Sequence, residues 1–479
     1  MFKKKERVPA TASGENKMGT MPVNKLLISM ALPMVASMLV QALYNIVDSL
    51  YVAQISATQY EFTAISLAFA AQNFLIAVAT GTGVGINALL SKSLGEKDFK
   101  TANKISANGV FLSLCSYIVF LVLGFTCMGM YMSWMTGNAA VIDFGKQYLS
   151  ICYVFSFGIF GQIVMERLMI STGKTHLAML TQGFGAIVNI ILDPIFIFKD
   201  GIGQILPDNW GMDFGFGWGI AGAAVATVIG QICACILAIF LNAKYNKEIH
   251  LSFKGFKPSG AIIGKIYAIG VPSIVMASIG SVMNVMFNSI LNTFGPITGD
   301  YGQKAFGAYF KIQSFIFMPI FGLNNGIVPI VAYNYGAQKK KRMVSAVKLG
   351  IAYAVGYMAL GLIAFQIIPD ILVGFFLTAP AAIEVAIPCM RIISISFVFA
   401  GFCIIIGSVF QALGKSIYSM FVSIARQLVV LIPIAFLLSQ FNNISLVWWS
   451  FPIAEIMSVI VSTIFFIRIY KKTIAKIPE

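Results

Sequence analysis

The stretch ALPMVASMLVQALYNIVDSLYVAQI, residues 31–55, decides how this chain is read. It is long and apolar enough to cross a hydrocarbon layer about 30 Å thick, which takes roughly 20 residues of helix. Yet it carries Ser37, Gln41, Asn45 and Asp48, spaced 4, 4 and 3 apart, which a helix gathers into one polar stripe. A carboxylate in hydrocarbon is costly unless it is neutralised, paired or wetted, so the stripe must face protein or water. Within the same stretch Pro33 removes one backbone hydrogen bond and makes a bend inexpensive, marking it as a candidate hinge.

Working outward, 58% of the residues are hydrophobic and 11% charged, and apolar runs of about 20 residues recur along the chain. Candidate spans begin near residues 26, 62, 105, 147, 177, 219, 261, 305, 345, 385, 416 and 446. The fold class is therefore an all-α polytopic membrane protein with twelve transmembrane helices.

The net charge of +15 invites a nucleic-acid reading that the distribution of Lys and Arg excludes. Assigned alternately, one set of loops takes Lys3 to Lys25, Lys92 to Lys104, Lys174, Lys244 to Lys265, Lys339 to Lys348, Lys415 and Arg468 to Lys476. The other set takes Lys146, Lys199 and Lys304. By the positive-inside rule both termini are expected in the cytoplasm and the protein in the plasma (inner) membrane. The head of the chain is basic and polar without a small-residue cleavage site, and reads as a cytoplasmic tail over residues 1–25. All seven cysteines fall in apolar spans and offer no disulfide framework.

Compared with itself, the chain repeats. An offset of 241 places Phe69 on Phe310, Gln72 on Gln313, Gly81 on Gly322, Gly85 on Gly326, Gly95 on Gly336, and Gly173-Lys174 on Gly414-Lys415. An offset of 239 places Pro33 on Pro272 and Asn45 on Asn284. Six spans is an even number, so the halves run parallel, related by an axis along the membrane normal. Two pseudo-symmetric six-helix bundles are expected, an N-lobe over residues 26–243 and a C-lobe over 261–470. A cytoplasmic loop, 244–260, joins them, and a tail covers 471–479.

Two more acids lie in apolar stretches, Glu166 and Asp193. On the fifth span Gln182, Asn189 and Asp193 form a second stripe, and counting about 1.5 Å per residue puts Asp193 at the depth of Asp48. The two can share one site. Glu166 lies on the inward-running fourth span, below Gln162, nearer the cytoplasm, and its neighbour Arg167 points about 100° away on an α-helix. Asp48, Asp193 and Glu166 are the candidate proton- or cation-coupling residues, with sodium possible at Asp48 and Asp193. Gln41, Tyr44, Asn45, Gln72, Gln162, Gln182, Asn189, Asn284 and Asn288 are the candidate cavity lining. Against this stands a plainer reading, in which amides on membrane helices are only interhelical glue at about 0.6 kcal/mol each. Span seven carries Asn284, Asn288 and Asn292 but has Phe287 where Asp48 stands in span one, so the second half has no matching acid.

No catalytic constellation is found. Gly173-Lys174-Thr175 and Gly414-Lys415-Ser416 resemble the end of a phosphate-binding loop, but they recur at the repeat offset and read as tight turns. Gly217, Gly219 and Gly222 match GxGxxG but introduce a membrane helix. No metal or cofactor site is expected.

Residues 31–55 resemble the opening helix of the multidrug and toxic compound extrusion (MATE) transporters. The paired segments GVGINALLSKSLGEKDFKTA (83–102) and NNGIVPIVAYNYGAQKKKRMVSA (324–346) resemble that family's repeated signature, and RLMISTGKTHLAMLTQGFGAIVNIILDPIFIF (167–198) fits its fourth and fifth helices. The resemblance implies a V-shaped pair of bundles that exports organic cations against H+ or Na+ by alternating access, with no other cofactor. Within the family the chain looks closest to MepA-like and DinF-like members, whose coupling acids match Asp48, Asp193 and Glu166. The expected partners are small cationic amphipathic drugs or metabolites and the lipid bilayer, with no nucleic acid and a monomeric state. The alternative is a lipid or polysaccharide-precursor flippase, which would favour basic residues in the cavity; Lys311, Arg391 and Arg426 are the only candidates.

Overall fold

The computed structural model describes residues 15–55, 60–199, 214–253, 255–377 and 379–478, and among these the only regular structure is helical. The first half comprises α1 (Lys17–Thr20), α2 (Val23–Ala53), α3 (Tyr60–Gly95), α4 (Phe99–Thr126), α5 (Met128–Met135), α6 (Ala139–Val154), α7 (Phe157–Ser171), α8 (Thr175–Ile197) and α9 (Ile220–Tyr245). The second comprises α10 (Gly260–Asn292), α11 (Thr298–Gly336), α12 (Lys340–Ile367), α13 (Pro369–Gly374), α14 (Pro380–Ser394) and α15 (Phe397–Ala412). It continues through α16 (Ser416–Ile424), α17 (Ile432–Ser439), α18 (Ile444–Val447) and α19 (Ser450–Ile469). Two wider π-helical segments, Ala425–Leu431 and Tyr470–Ile474, continue α16 and α19.

Ten helical runs are long and apolar enough to cross a membrane, and counting the bent pairs α6–α7 and α14–α15 as one span each gives the expected twelve. The largest error in the sequence reading is the fourth span, which begins at Ala139 rather than near 147. Nor are the fourth and tenth spans single rods, since each is bent by 47°. Ser156 and Ser396 sit at the breaks, donating their backbone N–H to Tyr153 (3.2 Å) and Ile393 (3.0 Å), three residues back. Such tightened turns redirect a helix without a proline.

The repeat visible in the sequence is present in the backbone. Lys97 and Gln338, 241 residues apart, both take positive φ (59° and 57°) at the turns after α3 and α11, and Gly173 and Gly414 do so (84° and 73°) after α7 and α15. Asp98 caps α4 by accepting from Thr101 N (3.0 Å).

The halves meet where α2 packs along α11 and α3 along α10. A Cβ on Gly95 would lie 2.1 Å from the Tyr333 carbonyl oxygen, and one on Gly336 would lie 2.2 Å from that of Lys92. Glycine is required at both, because no side-chain atom fits against a backbone at that range. Gly85 approaches Ile266 and Gly326 approaches Ala31 in the same manner. Lipid gives helices no hydrophobic reason to associate, so small residues that allow close approach hold such seams together. All of these contacts fall in the halves of the helices nearest the basic turns.

Residues 15–21, read from the sequence as part of a tail, are instead docked across this seam. Met18 is fully buried. Asn16 donates to the Thr172 carbonyl (3.1 Å) of the first half and to Glu248 (2.6 Å) of the loop that follows it. From the second half Asn334 donates to the Met18 carbonyl (3.1 Å), Arg342 to the carbonyls of Met18 (3.2 Å) and Met21 (2.6 Å), and Lys339 to that of Gly19 (2.9 Å). Lys339 also pairs with Glu15, and that bond holds the Glu15 carboxyl below the usual carboxylate range. Burial lowers the Lys17 ammonium, with Lys174 beside it acting in the same direction. Lys174 is lowered by burial too, partly offset by Glu248 at 3.7 Å.

Candidate functional site

Asp48 lies near the end of α2 and Asp193 immediately before Pro194 in α8, the two helices packing side by side. The carboxyl groups are close enough to interact electrostatically. Asp193 is fully buried. Asn189, one turn earlier, donates to Asp193 Oδ1 (3.3 Å) and lies equally close to Thr227 Oγ1 of α9. Tyr44, one turn before Asp48, also reaches Thr227. Tyr148 and Cys152 of α6 lie in the neighbourhood of Asp48, and Tyr148 donates to Gln72 Oε1 of α3 (3.5 Å). Asp48 Oδ1 and Asp193 Oδ2 are buried with no hydrogen-bond partner among the described residues.

The chemistry follows from that arrangement. Two carboxylates sharing one desolvated site cannot both be charged unless a cation neutralises them. The pair can hold protons, or a cation, but each at the expense of the other. Amide, hydroxyl and phenol oxygens around it are hard donors of the kind that suit an alkali cation.

Glu166 belongs to a different node. Gln162 and Thr181 donate to its Oε1 (both 2.9 Å) and Gln182 to its Oε2 (2.7 Å), so the buried carboxylate is satisfied by neutral donors. The node at Gln182 and the node at Asp193 are about 16 Å apart along α8, at about 1.5 Å per residue. Arg167 does not bond Glu166; it donates to Asn325 of α11 across the seam (2.8 Å).

Of the predicted lining, Tyr44, Gln72 and Asn189 surround the aspartate pair, while Gln162 and Gln182 serve Glu166. Gln41 is half-buried and Asn45 exposed on the same helix. Asn284 and Asn288 are half-buried and bond each other, Asn288 Nδ2 donating to the Asn284 side chain at 3.0 Å. α2 runs unbroken through Pro33. Segment 200–213, which includes the acids Asp208 and Asp213, lies outside the described residues; just beyond it Phe216 and Trp218 stack on Phe196 (5.2 and 5.3 Å). Sequence reasoning missed Tyr148, Cys152 and Thr227. Their signal was faint: Tyr148 and Cys152 are four apart on one helix, and Thr227 is a lone hydroxyl in an alanine-rich run.

Among the described residues the second half has aromatic packing where the first has the aspartate pair. Phe287, in the position of Asp48, is fully buried against Phe306 (4.6 Å), Phe451 (5.1 Å) and Trp448 (6.0 Å). Among the described residues its one buried acid, Glu455, pairs with Arg426, while Lys311 sits over the Phe376 ring (5.6 Å).

The MatE family model matches residues 33–195 and 267–437, covering most of both halves. The chain belongs to the MatE family. Among curated relatives of this MatE protein, the multidrug export protein MepA of Staphylococcus haemolyticus is 25% identical over 431 residues, 90% of each chain. MepA of a Staphylococcus aureus strain is 24% identical over 434 residues, 91% of each. A solved structure described as the outward-facing conformation of a multidrug resistance MATE family transporter aligns with a TM-score of 0.87 at 22% identity, covering 97% of this chain and 99% of that one. A MOP superfamily transporter from Pyrococcus furiosus aligns equally well at 20% identity, over 97% and 99%. The twelve-span fold and the family expected from the sequence are those found.

Proposed function

We propose that this MatE protein is a secondary active exporter that moves small cationic amphipathic compounds out of the cell against H+ or Na+. The observation that carries the reading is the Asp48–Asp193 pair, two interacting carboxyls that each keep one buried, unpartnered oxygen. A proton or sodium ion and a cationic substrate compete for that negative site, and competition links the two fluxes. Resemblance to export proteins named MepA supports the substrate class. Glu166, held by three neutral donors, is assigned a supporting role in coupling.

The basic turns are assigned to the cytoplasm by the positive-inside rule, with both termini inside and the chain in the plasma membrane. The N-lobe is residues 26–243 and the C-lobe 261–470, joined by the loop 244–260, and the protein works as a monomer. With the seam closed at the basic end, the aspartate pair near the opposite end of α2 and α8 faces outward. Opening the seam while closing the other side completes alternating access, with α2 bending at Pro33. Of the three cations a flippase could use, Arg426 is neutralised by Glu455, Lys311 lies over the Phe376 ring and Arg391 is exposed.

Ethidium efflux from proteoliposomes under an imposed pH or sodium gradient tests the proposal. Efflux driven by one gradient identifies the ion; efflux indifferent to both, with protein correctly inserted, contradicts antiport.

A further inference from the structure

At the basic end of the second half, the first three turns of α12 and Tyr470 flank a groove of ≈ 500 Å³ lined by Lys340, Lys341, Ser345 and Lys348. Lys340 donates to the Ala475 carbonyl (3.2 Å), fixing the C-terminal segment as the groove's second wall. Among the described residues Lys341 and Lys348 have no carboxylate partner. The two stretches of chain that build the walls, residues 340–349 and 470–478, contain no Asp or Glu, while the second adds Lys471, Lys472 and Lys476; Glu479 follows it. Glu15, which reaches Lys339 beside the groove, is taken up by that pairing.

The internal repeat shows what this surface is not. In the first half the equivalent face of α4 is closed by the connecting loop: His250 N donates to Asn103 (2.8 Å), Ser259 N donates to Asn108 (3.0 Å), and Phe256 packs on Phe111 (5.8 Å). At the 241-residue offset Asn103 and Asn108 become Val344 and Leu349, which cannot receive a backbone N–H, and Phe99 and Ala107 become Lys340 and Lys348. The face has lost its loop acceptors and, with Lys100 kept as Lys341 and Lys104 replaced by Ser345, carries one ammonium more. Along the same ridge of α12, four residues per step, the groove leads to Ala352, Gly356 and Leu360, all exposed, and nothing lies within 4 Å of a Cβ placed on Gly356. A charged pocket thus opens onto a shallow apolar track running toward the bilayer centre.

We propose that this groove binds the phosphate of an anionic glycerophospholipid of the inner leaflet, one acyl chain lying along Ala352, Gly356 and Leu360. The orientation rests on the cytoplasmic assignment of the basic turns. Ammonium groups and hydroxyls recognise the phosphate, and basic pockets between helices on the cytoplasmic side suit such headgroups. The apolar track selects a lipid over a free phosphate ion.

The test is native mass spectrometry of the intact purified protein in detergent, offered phosphatidylglycerol, phosphatidylcholine or inorganic phosphate. Wild type is expected to retain phosphatidylglycerol over phosphatidylcholine, and K340Q/K341Q/K348Q to lose at least about tenfold of that retention. A second variant, K97Q/K100Q/K104Q at the other lobe's basic turn, is expected to keep it. Equal loss in both variants, or unchanged retention in the first, overturns the site, and inorganic phosphate binding without lipid retention overturns the lipid assignment. The readout needs no transport, so it stands or falls apart from the exporter reading.

Discussion

Gly95 and Gly336 each press on the backbone three residues before the other: Gly95 on the Tyr333 carbonyl, Gly336 on that of Lys92. The two contacts are related by the 241-residue repeat. Each half supplies the glycine the other needs, so the closed seam is built twice from one motif.

Gly336→Val is therefore expected to prevent closure at the basic end, since the clash is with backbone and overpacking of this kind costs roughly 1–3 kcal/mol. The distance between spin labels at the equivalent positions Lys100 and Lys341 reads the result. A longer or broader distance is predicted, and an unchanged one contradicts the seam.

Glu15 extends the same prediction to pH. Its carboxyl is held below the usual range by Lys339, so its contribution is fully present above the ordinary carboxylate pKa and lost only as pH falls through the lowered value. Docking of residues 15–21 is expected to survive mild acidification and to loosen at stronger acidity. Glu15→Gln should loosen it at neutral pH. Protease accessibility of residues 15–21 across pH reports both.

The repeat, the twelve spans and the acid stripe were legible because they depend on local spacing and composition. The offset of 241 alone picks out both seam glycines and both positive-φ turns. What stayed hidden is non-local or conformationally subtle. Residues 15–21 look solvated because their partners, Asn334, Arg342 and Glu248, are more than 200 residues away. The bends at Ser156 and Ser396 leave hydropathy unchanged. Glu166 reads as a third candidate coupling acid, but the neutral donors on its own helix and on α8 that hold it are not legible in spacing alone.

Phe287 explains the missing acid of the second half, and its replacement tests that account. Phe287→Ala is expected to cost about 3–5 kcal/mol as a core truncation. Phe287→Asp, an unpaired charge among aromatic rings, should cost more and block assembly. Thermal unfolding of purified protein distinguishes this from a tolerant cavity position, where both changes would be mild.

Arg426 and Glu455 form a charge pair in which Glu455 is buried and Arg426 half-buried. Removing one partner, as in Glu455→Leu, is expected to destabilise, though by less than the roughly 3–5 kcal/mol of a fully buried pair because Arg426 is half-buried, whereas Arg426→Leu/Glu455→Leu together should be near neutral. Melting temperatures of the three proteins decide it. A double variant as unstable as the single one would assign the pair a role beyond mutual neutralisation.

The most direct test of the central claim is the affinity of a lipophilic cation, tetraphenylphosphonium, for wild type and for Asp48→Asn/Asp193→Asn, measured across pH and sodium concentration. Competition at the aspartate pair predicts that wild-type affinity falls at least about tenfold, or about 1.4 kcal/mol, as the coupling ion rises. The variant should bind weakly and without that dependence. The same dependence on protons or sodium in both proteins would contradict the account.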